Sequence, residues 1–441
     1  MNRRPPKNSG VPPQNRKSQR RAASATLNAT PDGHSEPANG GKESQKLPTG
    51  WVWKTIGEIA KTSSGGTPSR GRSDFYGGSI PWVKSGELGD RVVYETSERI
   101  TVIGLNSSSA KIFPKGTLCI ALYGATVGKL GILGMDAATN QAVCGIFLPE
   151  SMDVWYLFRY LESKRRDLIE MGKGGAQPNI SQEIVRQTKI PIPPLPEQRR
   201  IVAEIEKQFT RLEAGVGALR RVQANLKRYR AAVLKAACEG KWLRKKIGDV
   251  ASLVTKGSSP NWQGFNYCDD GIAFVRSQNV GWGLLNLLDV AHLPAAFNAK
   301  EKKSVLKAGD VLLNIVGASI GRSAVATGDI EGGNVNQAVA VIRLKPDEML
   351  SRFLMFYLVS PATQDRIHSE KVDVARANFS LEDIRQLPVP VPPLAEQERI
   401  VAELERRLSV VEELSVLVTA NLQRATRLRQ AILQKAFSGQ L

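Results

Sequence analysis

The sequence predicts a duplicated fold. Two mixed α/β (α+β) globular domains are each followed by one long α-helix, and the two helices pair as an antiparallel coiled coil about a pseudo-two-fold axis. Three observations carry this. Ile190-Pro-Ile-Pro-Pro-Leu-Pro-Glu-Gln-Arg-Arg-Ile-Val-Ala-Glu204 recurs as Val389-Pro-Val-Pro-Pro-Leu-Ala-Glu-Gln-Glu-Arg-Ile-Val-Ala-Glu403. Shorter matches run ahead of it in both halves: Trp82-Val-Lys-Ser85 with Phe274-Val-Arg-Ser277, Gly124-Ala-Thr-Val-Gly-Lys129 with Gly317-Ala-Ser-Ile-Gly-Arg322, and Asn140-Gln-Ala-Val143 with Asn336-Gln-Ala-Val339. Behind each proline-rich copy, apolar residues recur in steps of three and four.

Residues 1–46 hold six prolines, nine basic and three acidic side chains, and almost no large apolar residue. Such a segment cannot bury enough surface to offset its chain entropy, so it reads as a disordered basic tail. Residues 47–189 form the first globular domain, with β-rich runs at Leu118–Tyr123 and Val143–Leu148 and a helix over Trp155–Met171. Residues 243–388 repeat the plan, with strands over Val311–Val316 and Val339–Leu344 and a helix over Leu350–Ser369. Ser380-Leu-Glu-Asp383 has the form of a capped helix start, and Asn179-Ile-Ser-Gln182 is a weaker equivalent.

The long helices occupy 190–242 and 389–441. Prolines at 191, 193, 194 and 196, and at 390, 392 and 393, hold the chain extended before each. One seam runs Ile201, Ile205, Phe209, Leu212, Val216, Leu219, Val222, Leu226, Tyr229, Val233; the other runs Ile400, Leu404, Leu408, Val411, Leu414, Val418, Leu422, Ala425, Leu428, Ile432. A helix roughly 65 Å long with one apolar stripe needs a partner along its length. The economical partner is the other helix, with homodimerisation as the alternative. Antiparallel pairing puts the two domains at opposite ends of a fixed spacer.

Charge points to the ligand. The chain carries 61 Lys+Arg against 42 Asp+Glu, a net +19, which favours a polyanionic partner, foremost nucleic acid. The most apolar stretch, Leu118–Met135, is interrupted by Lys129 and several glycines, so no membrane span is expected. Four scattered cysteines without a CxxC pair and three scattered histidines argue against a disulfide framework or a metal site. With no apolar signal segment at the front, the reading is a cytoplasmic, soluble, metal-free protein.

Catalytic motifs fail one by one. Gly124-Ala-Thr-Val-Gly-Lys129 has three residues between its glycines where a phosphate loop needs four, and Leu130 follows the lysine. A tight turn after a strand explains it. Pro346-Asp347 is not followed by an acidic-x-Lys, and neither hydrolase motifs nor the Asp/Asn-Pro-Pro-Tyr/Phe of an adenine methyltransferase appear. The chain therefore reads as non-catalytic, with no cofactor of its own. Candidate DNA contacts in polar loops are Arg70, Arg72, Tyr76, Lys84, Ser85 and Lys129 in the first domain, and Lys256, Asn261, Arg276, Ser277, Asn279 and Arg322 in the second. The pairs Lys84/Arg276 and Lys129/Arg322 keep their charge across the repeat, as phosphate contacts would. Asn140-Gln141 and Asn336-Gln337 have the chemistry to read adenine, yet their recurrence in both domains favours a structural role. The seven tryptophans are read as core.

The doubled Pro-x-Pro-Pro-Leu-x-Glu-Gln-x-Arg-Ile-Val-x-Glu at 191–204 and 390–403, with Gly66-Thr-Pro-Ser69 and the domain–helix–domain–helix order, resembles the specificity subunits of type I restriction–modification systems. The resemblance covers about residues 47–441. It implies a non-catalytic reader of double-stranded DNA with two target-recognition domains, each for one half of a split asymmetric site, and helices that set the unread spacer. It also implies partners: two modification (methyltransferase) subunits that methylate adenine at N6, and restriction subunits that act as ATP-dependent translocase and nuclease. S-adenosylmethionine, ATP and Mg are expected on those partners. Leu195, Glu197, Gln198 and Ile201, with Leu394, Glu396, Gln397 and Ile400, are then expected in helix packing or modification-subunit docking. The basic front departs from the family pattern, as does Gly257-Ser-Ser-Pro260 in place of a second Gly-Thr-Pro-Ser.

Overall fold

The computed structural model describes residues 47–172, 179–369 and 378–441; the tail expectation for 1–46 lies outside them. Residues 47–441 form one unit. In the first domain Val143–Phe147 lies between Lys61–Ser64 and Leu118–Ala121, antiparallel to both, and Leu130–Leu133 and Arg91–Val93 extend the sheet. The second domain repeats this order as Ala251–Lys256, Val339–Leu344, Val311–Asn314 and Ser323–Val325. Each of the four runs read as strands from sequence is one, because continuous Val, Ile and Leu bury both sheet faces. A smaller sheet built on Tyr76–Val83 in the first domain has its counterpart on Ile272–Val275 in the second.

Each domain is closed by a ribbon just ahead of its proline motif. Val52–Thr55 pairs antiparallel with Lys189–Ile192, and Arg244–Lys246 with Pro388–Pro390. The ribbon is pinned by a tyrosine from the domain's own helix. In α1 (Val154–Met171) the Tyr160 hydroxyl donates to the Lys189 carbonyl at 2.6 Å, and in the second domain Tyr357 donates to Pro388 at 2.6 Å.

Short helices aside, the first long helix, α2 (Leu195–Cys238), comes next, and then α3 (Ser351–Leu358), α4 (Pro361–Ser369) and the second long helix, α5 (Leu394–Phe437). The single helix expected over Leu350–Ser369 is thus two. Pro361 cannot donate a backbone hydrogen bond to the preceding turn, so it starts a new helix instead of continuing the old one. The Ser380 cap forms as read, with its hydroxyl accepting from the Asp383 N–H at 3.1 Å. Its weaker equivalent is displaced by two residues. Ser181 caps that helix, accepting from the Ile184 N–H, while Asn179 bridges to Tyr123.

The long helices run antiparallel. Arg200 near the start of α2 donates to the carbonyl of Leu441 at 2.8 Å, and Glu213 pairs with Arg429 at 3.2 Å. At the other end Val233, Leu234 and Cys238 share a core with Ile400, Val401 and Leu404. Each domain therefore sits on the first turns of the helix that follows it and the last turns of the other. Phe437, for example, meets Tyr156 and Tyr160 of the first domain edge-on at 5.3 and 5.0 Å. At that end the clamp is charged: Arg429 reaches Glu162 at 3.0 Å and lies 3.8 Å over the Phe209 ring, while Arg159 binds Glu162 and Glu206 at 2.7 and 2.6 Å. Burial opposes the Arg159 charge, but hydrogen bonds and charges from those two glutamates more than offset it. In the second domain Phe356 and Val359 are buried in the corresponding core, Arg352 pairs with Glu405, and Arg230 donates to the Trp282 carbonyl at 3.1 Å.

The motif glutamines fasten helix to domain. Gln198 is buried; its carbonyl accepts the Asp153 N–H at 2.9 Å and its amide donates to the Pro193 carbonyl at 3.0 Å. Gln397 does the same with the Leu350 N–H and the Pro392 carbonyl, both at 2.8 Å. Asp153 and Leu350 are the residues that precede α1 and α3, so each glutamine joins the starts of two helices. Replacing either by leucine keeps the volume and strands those backbone groups. Each change should cost about 1–3 kcal/mol, read as a lower unfolding midpoint by calorimetry of the full chain, whereas Glu197→Ala and Glu396→Ala, on the half-exposed face, should cost far less.

Candidate nucleic-acid interface

In both domains the polar loop that follows the first strand of the main sheet is folded hard against the Asn-Gln turn. A Cβ on Gly65 would lie 2.2 Å from the Thr139 carbonyl, and one on Gly257 would lie 1.7 Å from the Val335 carbonyl. Only glycine fits at either place. This contact aligns Gly65 with Gly257 and Pro68 with Pro260, so the structural counterpart of Gly257 is the residue before Gly66-Thr-Pro-Ser69. Two of the four Asn-Gln side chains make local hydrogen bonds here. Asn336 accepts from the Ala338 N–H at 3.2 Å, and Gln141 accepts from Thr67.

Two first-domain candidates converge on one carboxylate. Arg70 and Lys84 each reach Glu98 at 2.6 Å, and their hydrogen bonds hold its carboxyl below the usual range. The Arg70 guanidinium lies 4.6 Å over the Tyr76 ring and 4.9 Å over that of Trp82, while the Tyr76 hydroxyl donates to the Pro68 carbonyl at 2.5 Å. Ser85 follows Lys84 in a short turn closed by Glu87. Arg72 is committed to Asp74 through two hydrogen bonds at 2.8 and 2.7 Å. Lys129 stands apart from this group, 4.0 Å from Asp90, which also receives Arg165.

In the second domain the candidates divide. Lys256 and Asn261 are exposed. Arg276 donates to the Asp289 carbonyl at 2.6 Å and contacts its carboxylate at 3.2 Å. Ser277 accepts the Asn314 amide on its backbone carbonyl, and the Arg322 Nε finds no partner among the described residues. Asn279 faces its own loop. It is buried, its carbonyl accepts the Arg276 N–H at 2.9 Å, and its amide donates to the Asn286 and Asp289 carbonyls at 2.9 and 3.0 Å. Both of its amide N–H groups are spent on its own loop.

Sequence reasoning missed two things. Glu98 was not singled out, although it organises the first cluster. Reading all tryptophans as core also fails for Trp262, which is 84% exposed, and for Trp53 and Trp282, which are about half exposed. The available signal was local: Trp262 lies among Ser, Pro, Asn, Gln and Gly, with no apolar partner in sequence. Nucleophilic chemistry finds little support here. Burial pushes the thiols of Cys144 and Cys238 up to about 12 and about 11, and raises Cys119 as well.

Comparison with known proteins follows the same duplication. A family model described as the type I restriction modification DNA specificity domain matches residues 48–216 and again 239–412. The chain is similar to the type I restriction enzyme EcoBI specificity subunit of Escherichia coli, 28% identical over 333 residues, 69% of each chain. It is also similar to the EcoKI specificity subunit of Escherichia coli K12, 23% identical over 90% of each chain. A solved structure concerning complex assembly and conformational transition of the type I R-M system contains a chain of like fold, with a TM-score of 0.74 at 23% identity, spanning 90% of this chain and 100% of that one.

The split among second-domain candidates is testable by stability alone. Asn279→Ala should destabilise the full chain by about 1–3 kcal/mol by orphaning buried backbone groups. Asn261→Ala, on an exposed turn, should stay within about 0.5 kcal/mol. Denaturant unfolding of the two variants measures both.

Proposed function

The chain belongs to the type I restriction–modification DNA specificity family, and from that premise we propose that its two globular domains each read one half of a split, asymmetric site on double-stranded DNA. It is a DNA sequence-recognition subunit. The observation that supports the two-part reading best is the duplication itself: two equivalent domains at opposite ends of an antiparallel helix pair. Duplex DNA has its own local two-fold axes, so a pseudo-two-fold protein offers equivalent faces to its two strands. Because the loops differ in sequence between the domains, the bases read at each end differ. We take the recognition domains as 47–189 and 243–388.

The helix pair is the ruler. Each domain is clamped by the start of one long helix and the end of the other, so the separation of the two reading heads follows helix length rather than a flexible linker. The same pair offers a docking surface for two modification subunits. In mid-helix the seam residues Val222, Tyr229, Leu414 and Leu428 remain substantially exposed, as do Val410 and Leu417. Among the family-motif residues, Gln198, Ile201, Gln397 and Ile400 are buried within this chain, leaving the half-exposed Leu195, Glu197, Leu394 and Glu396 as the part of the motif open to a partner. Chemistry belongs to those partners: adenine-N6 methylation with S-adenosylmethionine, and ATP- and Mg-dependent translocation and cleavage where restriction subunits join. The chain itself is non-catalytic and acts in the cytoplasm, where the DNA is.

Two changes test the modular ruler. Exchanging 243–388 for the corresponding domain of a relative should change one half of the methylated motif and leave the other; methylome sequencing that finds both halves altered contradicts the reading. Inserting about four residues at matched positions of both long helices adds about 6 Å, closer to two base pairs than to one at 3.4 Å per step. The spacer of the methylated motif should lengthen accordingly with both half-sites unchanged.

A further inference from the structure

Trp262 lies outside everything the fold requires. A tryptophan left 84% exposed is unusual for so large an apolar surface, and it is not on a loose loop. It sits at the middle of a short turn, Asn261–Gln263, whose neighbours are tied down on every side. The Pro260 carbonyl accepts from the N–H groups of Gln263 and Phe265, both at 3.0 Å. The Gln263 side chain donates to Ser258 at 3.3 Å and to Glu301 at 2.8 Å, and the Gln263 backbone carbonyl accepts from Lys300 at 2.9 Å. Phe265 packs edge-on against the fully buried Phe297 at 5.4 Å. A rigid turn thus holds an indole out into solvent.

Lysines gather on the elements packed beside it, with the Glu301 carboxylate held by Gln263 among them. Lys300 lies against the turn through the Gln263 carbonyl. Lys302 and Lys303 are exposed in the following turn, which packs beside the strand that ends at the exposed Lys256. The repeat supplies a second argument. The offset that aligns Trp82-Val-Lys-Ser85 with Phe274-Val-Arg-Ser277, and Gly65 with Gly257, places Trp262 at the position of Arg70. Arg70 is the side chain presented by that loop in the first domain, above Tyr76 and Trp82. One turn therefore carries a guanidinium in one domain and an indole in the other, as readers of two different half-sites require.

We propose that Trp262 is a specificity-determining contact of the second domain, its indole stacking on or wedging between bases of duplex DNA while the surrounding lysines hold the phosphates. The proposal rests on the DNA-reading function above. A planar apolar group with lysines on the adjoining elements matches a base flanked by its backbone. The indole adds contact without neutralising a phosphate, so it acts on affinity and base preference but not on salt dependence.

The test uses the full chain purified with the subunits it carries from its host, and a duplex bearing the motif that methylome sequencing defines. W262A should weaken binding roughly tenfold or more, about the size of one lost base-pair contact on duplex DNA, with an unchanged unfolding midpoint and an unchanged slope of log K against log salt. W262F should keep most of the affinity. With 2-aminopurine placed along the second half-site, wild type should raise its fluorescence at one step and W262A should not. Binding by W262A within about twofold of wild type overturns the proposal, and so does a loss confined to assembly with the other subunits. If wild type itself does not distinguish the motif from a scrambled duplex, the DNA-reading function fails first and takes the proposal with it.

Discussion

A helix of 44 residues with a single apolar stripe cannot persist alone in water, and this chain contains two of them. Their antiparallel pairing is the constraint from which the rest of the architecture follows. Once Ile201, Ile205 and Phe209 at one end share a core with Ile432, Leu433 and Phe437, the two domains must lie at opposite ends. The distance between them is then a property of a rigid rod. A linker of the same length in extended or flexible form would set no such distance.

The domains are not merely hung on this rod. Ribbon, tyrosine and glutamine repeat in both halves, and together they join three things at one point: the closing strand, the domain's own helix and the first turn of the long helix. The packing around that point then diverges. The first domain uses Arg159, Glu162 and an aromatic face; the second buries Phe356 and Val359 instead and keeps a single ion pair to the long helix, Arg352 with Glu405, among the described residues. Equivalent backbone with unlike side chains gives each domain its own helix ends to sit on, which favours one arrangement over its swapped alternative. The same division reappears in the loops, where Arg70 and Trp262 occupy matching positions.

The duplication was legible because a fifteen-residue motif occurs twice, and the long helices because proline is absent where both seams run and glycine is absent from the second. Strands of continuous Val, Ile and Leu were equally plain. What periodicity could not show was the break at Pro361, where the apolar pattern crosses an interruption that only backbone chemistry reveals. Site residues were the least legible. Whether an asparagine reads a base or closes a loop depends on which carbonyls come near, and Asn279 found two while Asn261 stayed exposed. Trp262 was misjudged for a similar reason: hydrophobicity favours burial, but a rigid turn can deny it.

The central claim is that one chain reads two separated half-sites for an adenine-methylating partner. Single-molecule methylome sequencing of the host with and without this gene tests it most directly. The account predicts that deletion erases one bipartite adenine-methylation motif, with two unlike halves and a fixed unread spacer, and that restoring the gene returns it. An unchanged methylome in cells that make the chain, or the loss of a single contiguous motif, would contradict it.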